Sequence, residues 1–129
     1  MADDDVIIQP VLHYTDPGEA LAFLTEAFGF AEKNVHKGSD GEIAYVELEY
    51  GGCWFGFGRR AEGDSPFDLG PTAVYVALDE VDAMHERAAG AGAEIVMPPT
   101  DQDYGSRDFA ARDPEGNVWC FGTYRPGPT

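Results

Sequence analysis

The chain has 129 residues and a formal net charge of −16, because 24 acidic side chains face only 8 basic ones. This length suits one domain with a substantial core, and the charge repels phosphate backbones, which argues against a nucleic-acid partner. The sequence has no run of about 18 apolar residues, and its first residues are acidic where a secretory signal would be basic. We therefore expect neither membrane insertion nor export, and we take the cytoplasm as the default location.

The first half of the chain predicts a βαβββ unit. A strand is expected over residues 6–14, where Pro10 indicates an edge position or a local break in the ladder. A helix follows, for which Asp16 is a good N-cap, Pro17 fits the first turn and Gly29 is a stop signal. Three further strands, separated by turn-forming sequences, are predicted over residues 31–37, 42–50 and 53–58.

The second half repeats this order. Residues 59–71 are rich in Gly, Pro and Ser and indicate a linker. A strand (72–78), a helix (79–89) and three strands (94–97, 108–112 and 117–124) are predicted after it. The apolar stripes of the two helices also match, with Ala20 corresponding to Val81 and Ala27 to Ala88. The sequence thus predicts a single domain, residues 1–129, with modules at residues 6–58 and 72–124.

Segments spread over residues 6–124 match one known family in their order and spacing. They are Asp16 with the helix that ends at residues 28–30, and then residues 44–48, 74–79, 91–94, 104–107 and 113–119. Through these segments the chain resembles the vicinal oxygen chelate superfamily, which includes glyoxalase I, the bleomycin-resistance proteins and the extradiol dioxygenases. The resemblance implies an α+β fold in which two βαβββ modules form curled mixed sheets around a shared cavity, usually in a homodimer.

The resemblance also indicates where a metal would be held. Metal-dependent members carry one ligand on the first strand and one on a later strand of each module, and the corresponding positions here are Gln9, Glu47, Ala73 and Cys120. Ala73 cannot coordinate a metal, and Cys120 would bring a soft thiolate to a site of hard oxygens. Since a catalytic divalent ion takes about three protein ligands, we expect no cofactor and no catalytic residue. If a metal does bind, Gln9 and Glu47 are its expected ligands.

Other polar residues remain candidates for the cavity. His13 shares the strand parity of Gln9, so a metal site made of His13, Glu47 and a third residue stays open. Glu47 is either a partly buried carboxylate that needs a partner or a solvated one on an exposed strand. Cys53 and Cys120 are too few for a disulfide framework and are expected to be reduced thiols.

Aromatic side chains on three strands are expected to form the cavity walls or the core. Neighbouring residues of a strand face opposite ways, so some of them pack under a helix while others meet a ligand. The candidate ligand-binding aromatics are Tyr45, Trp54, Phe55, Phe57, Tyr75, Tyr104 and Trp119. Arg107 either reaches over the cavity mouth or pairs with Asp103 or Asp108.

Two functions of different classes fit these observations. The first, which we favour, is a non-catalytic binding protein like the bleomycin-resistance branch, which would sequester an aromatic or cationic small molecule in an acidic cavity and serve in antibiotic resistance. The second is a metal-dependent glyoxalase-like lyase or isomerase, or a dioxygenase. The sequence carries no nucleophile–base signature and no phosphate-cradling glycine motif. The expected partner is a small molecule, with neither nucleic acid nor membrane involved.

Overall fold

The computed structural model describes residues 8–61, 66 and 70–126, which form two βαβββ modules. The first module contains β1 (Val11–Tyr14), α1 (Pro17–Phe28), β2 (Ala31–Lys37), β3 (Ile43–Tyr50) and β4 (Cys53–Arg59). The second contains β5 (Ala73–Ala77), α2 (Val81–Gly90), β6 (Glu94–Asp101), β7 (Arg107–Arg112) and β8 (Val118–Gly122).

Each module folds into one four-stranded mixed sheet. The strand orders are β1-β4-β3-β2 and β5-β8-β7-β6, so the two sheets have the same topology. The first strand of each module pairs in parallel with the last one, and the remaining pairs are antiparallel. This arrangement confirms the predicted α+β fold of two modules.

The ends of α1 follow from local chemistry. Asp16 caps the helix, because its Oδ1 accepts a hydrogen bond of 3.0 Å from the backbone N–H of Glu19. Pro17 stands in the first turn, where a missing N–H costs nothing. Gly29 ends the helix in the left-handed conformation with φ of 75°, which a residue without Cβ adopts most readily.

Proline explains where two strands differ from their predicted limits. β1 begins at Val11, after Pro10, whose carbonyl accepts a hydrogen bond from Gly56 but whose nitrogen has none to give. β6 extends to Asp101 rather than residue 97, because in this edge strand Pro98 and Pro99 fall at an irregularity of the ladder, between the pairs that Met97 and Thr100 form with β7. The acidic residues 1–5, the start of the predicted first strand at residues 6–7 and most of the predicted linker lie outside the described residues.

One hydrophobic core joins the two modules. Phe28, at the end of α1, contacts the rings of Trp119 and Phe121 on β8, with centroid distances of 5.6 and 4.8 Å. Phe30 contacts Phe55 of its own module and Trp119 of the other. None of the helices in the described part of the chain is long and apolar enough to cross a membrane.

The core leaves one face of each sheet turned away from the helices, and we call this its open face. Residues alternate between the two faces of a strand, and this alternation identifies the residues on the open face of each sheet. The first sheet presents Val11, His13, Tyr45, Glu47, Trp54, Gly56 and Gly58, and the second presents Ala73, Tyr75, Asp108, Ala110, Cys120 and Gly122.

Candidate functional site

The open face of the first sheet carries a cluster of hydrogen-bonded polar side chains. The amide nitrogen of Gln9 donates to the hydroxyl of Tyr45 at 2.7 Å and to Oε2 of Glu47 at 3.5 Å. The amide nitrogen of Asn34 donates to the other oxygen of Glu47 at 2.8 Å. The Glu47 carboxylate is thus held by two neutral amides, and none of the ion pairs among the described residues includes it.

Two glycines of β4 make room for this cluster. A Cβ at position 56 would overlap the Tyr45 hydroxyl and lie 2.9 Å from the amide nitrogen of Gln9. Gly58 lies opposite Tyr45 in the strand register and allows His13 to approach at ordinary van der Waals distance. Burial raises the pKa of Tyr45, and the negative charge of Glu47 adds to the rise. Tyr45 is therefore a neutral hydrogen-bonding group at physiological pH.

An exposed indole stands beside the cluster. Trp54 is 43% exposed and lies opposite Glu49 in the strand register, on the same open face as Gly56 and Gly58. Large aromatic side chains are usually covered in a folded domain, because they carry much apolar surface. The first open face therefore combines a carboxylate, a phenol and an accessible π surface.

The open face of the second sheet holds a different cluster, centred on Asp108. Its carboxylate accepts hydrogen bonds from the hydroxyls of Ser106, at 2.5 Å, and Tyr104, at 2.9 Å. Sequence reasoning missed this arrangement and considered Asp108 only as a partner for Arg107. Tyr104 and Ser106 lie in the turn before β7, which brings their hydroxyls to the first open-face residue of the strand, and strand alternation alone does not predict this. Cys120 lies on the same face. Burial raises the pKa of its thiol, and the negative charge of Asp108 adds a smaller rise.

An open groove of about 610 Å³ runs between the edge strands β1 and β5. His13 from the first module and Tyr75 from the second both line it, together with Pro10, Val11, Leu12, Gly70, Pro71, Thr72, Ala73, Val74 and Asn117. The groove is where residues of both modules meet on one surface.

The structure brings most of the predicted site residues to the open faces. Gln9, Tyr45 and Glu47 are joined by hydrogen bonds. His13 and Trp54 lie on the same sheet, whereas Tyr75 and Cys120 lie on the second sheet, and the hydroxyl of Tyr104 contacts Asp108 there.

Three predicted aromatic contacts are placed elsewhere. Phe57 and Trp119 are 0% and 1% exposed within the core, and Phe55 packs against Trp119 there. Strand alternation gives Phe55 and Phe57 the opposite orientation to Trp54 and Gly56. Phe57 and Trp119 are therefore core residues and Phe55 packs against the core, so none of the three lies on an open face, and their part in ligand binding stays a prediction.

Arg107 is likewise placed on the helix side of its sheet. Its guanidinium pairs with Asp82 of α2 and with Asp101 of β6, each at 3.0 Å, and not with Asp103 or Asp108. Both hydrogen bonds raise the pKa of Arg107, and the one to Asp82 contributes most. Because neighbouring residues of β7 face opposite ways, Arg107 turns toward α2 while Asp108 reaches the open face.

The donor set does not fit a catalytic divalent metal. Among the described residues no group of three or more His, Cys, Asp and Glu side chains could hold an ion. Gln9 directs its amide nitrogen, a hydrogen-bond donor, at Glu47, while Ala73 has no ligating atom. The pair Gln9 and Glu47 thus supplies fewer ligands than such an ion takes.

Known proteins match the chain over most of its length. Residues 7–121 match the family model described as the Glyoxalase/Bleomycin resistance protein/Dioxygenase superfamily. An uncharacterized protein from Mycobacterium bovis is 30% identical over 123 residues, which cover 89% of this chain and 81% of the relative. An uncharacterized protein from Mycobacterium tuberculosis strain H37Rv has the same identity, with 72% of its length covered.

Solved structures agree with this match. TioX from Micromonospora sp. ML1 is 31% identical, with a TM-score of 0.79 over 92% of this chain and 100% of that one. A lactoylglutathione lyase from Agrobacterium tumefaciens is 22% identical, with a TM-score of 0.70 over 91% of this chain and 92% of that one. At such low identity the second likeness shows the fold alone.

Proposed function

Because this chain belongs to the glyoxalase/bleomycin resistance protein/dioxygenase superfamily, we propose that it is a small-molecule binding protein that sequesters an aromatic, cationic ligand without catalysing its conversion. One observation carries the proposal. Glu47 is a carboxylate without a cationic partner among the described residues, and it lies on the same open face as the accessible ring of Trp54.

Electrostatics support this choice of ligand. The net charge of −16 gives the protein a field that attracts cations. A cation over an indole ring gains about 0.5 to 2 kcal/mol, more as water is excluded. A flat cation would stack on Trp54 while its charge lies near Glu47, so both features act on one molecule.

The size of the groove supports a small molecule rather than a macromolecule. Its volume of about 610 Å³ lies inside the range of roughly 300 to 1,000 Å³ that is typical of small-molecule sites. The groove passes His13, which shares an open face with Glu47 and Trp54. A ligand on that face therefore has room to extend toward the second module.

Titration with cationic aromatic compounds tests the proposal. Bleomycin-type and mitomycin-type compounds and the planar dye proflavine are titrated by calorimetry, with the anionic dye fluorescein as the control for charge. Proflavine is also followed through tryptophan emission, since Trp54 is exposed whereas Trp119 is buried. We expect binding and quenching by proflavine and none by fluorescein. A panel of such cations that all fail to bind would refute the proposal.

A metal-dependent lyase, isomerase or dioxygenase is the second candidate. The observation in its favour is that Gln9 and Glu47, at two of the superfamily's ligand positions, lie 3.5 Å apart. Elemental analysis after supplementation with Zn, Ni, Mn, Co or Fe separates the two candidates. Less than about a tenth of an equivalent of metal supports the binding protein, whereas close to one equivalent supports the enzyme.

We also propose that the protein acts in the cytoplasm as a homodimer and protects its host from a toxic compound. The free thiols Cys53 and Cys120 fit a reducing compartment. Light scattering checks the assembly, since the chain alone has a mass of 14.0 kDa. Expression in a sensitive host should raise its tolerance of the compound that binds in the titrations.

A further inference from the structure

Asp108 is a buried carboxylate whose hydrogen bonds all come from neutral groups. It is 4% exposed and accepts from the hydroxyls of Ser106 and Tyr104. None of the ion pairs among the described residues includes it, and the neighbouring Arg107 is engaged on the other side of the sheet. A buried negative charge without a counter-ion is costly, so this position favours a cation from outside the chain.

Three tyrosine rings near this carboxylate are open to solvent. Tyr75, Tyr104 and Tyr124 are 38%, 69% and 55% exposed. The rings of Tyr75 and Tyr124 lie 6.5 Å apart, and the hydroxyl of Tyr75 donates to the carbonyl of Tyr124 at 2.5 Å. The hydroxyl of Tyr104 donates to Asp108, and this hydrogen bond is the largest cause of the raised pKa of Tyr104. Tyr104 thus contacts the carboxylate directly, while the rings of Tyr75 and Tyr124 contact each other nearby.

The surrounding residues fix the position of the carboxylate. Ser106 donates to Asp108 while its oxygen accepts from the backbone N–H of Tyr124 at 3.1 Å, so its hydroxyl proton has a fixed direction. A Cβ at position 122 would overlap Oδ1 of Asp108 and lie 2.7 Å from the hydroxyl of Tyr75. Gly122 is therefore the residue that lets both groups meet.

We propose that Asp108, Tyr75, Tyr104 and Tyr124 form a cage that binds the protonated or quaternary amine of a small-molecule ligand. The carboxylate supplies the counter-charge, and the rings supply π surface for the alkyl groups on nitrogen. This inference rests on the proposed function and deepens it, because it names an amine as the group that the second module recognises. The aromatic part of the ligand would then lie on the first open face, across the groove.

Choline and its uncharged isostere 3,3-dimethylbutan-1-ol test the cage on the unmodified protein. The two molecules have the same shape around the central atom and differ in charge. We expect choline to bind at least about tenfold more tightly, with amide shifts in the NMR spectrum confined to residues 104–108 and 120–124. Equal binding of the two molecules, or choline shifts confined to the first sheet, would overturn the inference.

Matched variants assign the effect to one carboxylate. Asp108→Asn should weaken choline binding at least about tenfold. Asp103→Asn makes the same change of charge at an exposed position of the neighbouring loop and should leave the affinity within about twofold. If circular dichroism shows that Asp108→Asn does not fold, Tyr75→Leu replaces it and should weaken choline binding at least about threefold. Undiminished binding by the folded variant would contradict the cage.

The outcomes also separate the cage from the function on which it rests. If proflavine binds in a Glu47-dependent way and choline shows no preference over its isostere, the cage is wrong and the binding function stands. If choline binds selectively at Asp108 while every aromatic cation fails, the proposed function is wrong and the amine site stands alone.

Discussion

The hydroxyl of Tyr14, the last residue of β1, donates a hydrogen bond of 2.6 Å to Oδ2 of Asp113, in the turn before β8. Both residues are buried, with 0% and 4% of their surfaces exposed. The same carboxylate oxygen accepts from the indole N–H of Trp119 at 3.1 Å and from the side-chain amide of Asn117 at 3.0 Å. One carboxylate therefore links the first module to the turn and the core strand of the second.

A second carboxylate of this turn reinforces the link. Glu115 accepts from the backbone N–H groups of Thr15 and Asp16, at 2.6 and 2.8 Å. Both groups lie where β1 leads into α1, so the turn also satisfies backbone donors of the other module.

Removal of the Tyr14 hydroxyl should destabilise the protein. Tyr14→Phe keeps the buried ring but deletes a hydrogen bond to a carboxylate, so we expect a loss of about 1.5 to 3 kcal/mol in the free energy of unfolding. Urea denaturation measures it. Tyr50→Phe is the matched control, because the Tyr50 ring packs on Phe30 while its hydroxyl has no partner among the described residues. Equal losses in the two variants would contradict the role of Asp113.

The same hydrogen bond predicts how stability changes at alkaline pH. Burial, and then the charge of Asp113, raise the pKa of Tyr14 far above its ordinary value. The stabilisation is complete below about pH 10, where an unfolded tyrosine keeps its proton, and declines above it by up to about 1.4 kcal/mol per pH unit, because only the unfolded state releases the proton. Between about pH 9 and about pH 11, the free energy of unfolding should decrease less steeply with pH for Tyr14→Phe than for the unmodified protein. The same decrease with pH in both proteins would contradict the assignment of this effect to Tyr14.

Gly56→Ala should disturb the first open face with little effect on the core. The added Cβ would overlap the Tyr45 hydroxyl, which must move away from Gln9. We expect proflavine affinity to fall at least about fivefold, since the polar cluster loses its arrangement. Gly58→Ala is the matched control, because the atoms nearest to its Cβ, the carbonyl oxygen of Ala44 and the ring of His13, lie no closer than 3.4 Å. A larger loss of proflavine affinity in Gly58→Ala than in Gly56→Ala would show that Tyr45 is not part of the site.

Glu47→Gln should weaken the binding of a cationic aromatic ligand. The substitution keeps the shape and removes the charge, so proflavine affinity should fall about tenfold while the protein stays folded. Glu32→Gln, at an exposed position of β2, makes the same change of net charge and serves as the control. Equal effects of the two variants would assign the attraction to the overall field rather than to Glu47.

Arg107→Gln should leave ligand binding unchanged. Its guanidinium joins exposed carboxylates of α2 and β6 on the helix side, so only a small loss of stability is expected. Calorimetry with proflavine and with choline checks this expectation. A large loss of either affinity would show that Arg107 reaches an open face.

The repeated element order and the turn signals were enough to predict the fold. Three of these features depend on local chemistry, which a sequence displays directly. They are the stop at Gly29, the edge position indicated by Pro10 and the matching apolar stripes of the two helices. β6 was predicted too short, because a proline breaks a strand in general but not at a sheet edge.

The sequence by itself determined which side chains share a face, because alternation along a strand is a local property: Tyr45 goes with Glu47, and Trp54 with Gly56. It did not determine which of the two faces a helix covers, and so it could not separate Trp54 from Phe55. Only the packing of α1 and α2 into a common core decided that. The pairing of Arg107 with Asp82 and that of Asp113 with Tyr14 were decided in the same way, since a long-range hydrogen bond depends on where the folded chain brings its acceptor.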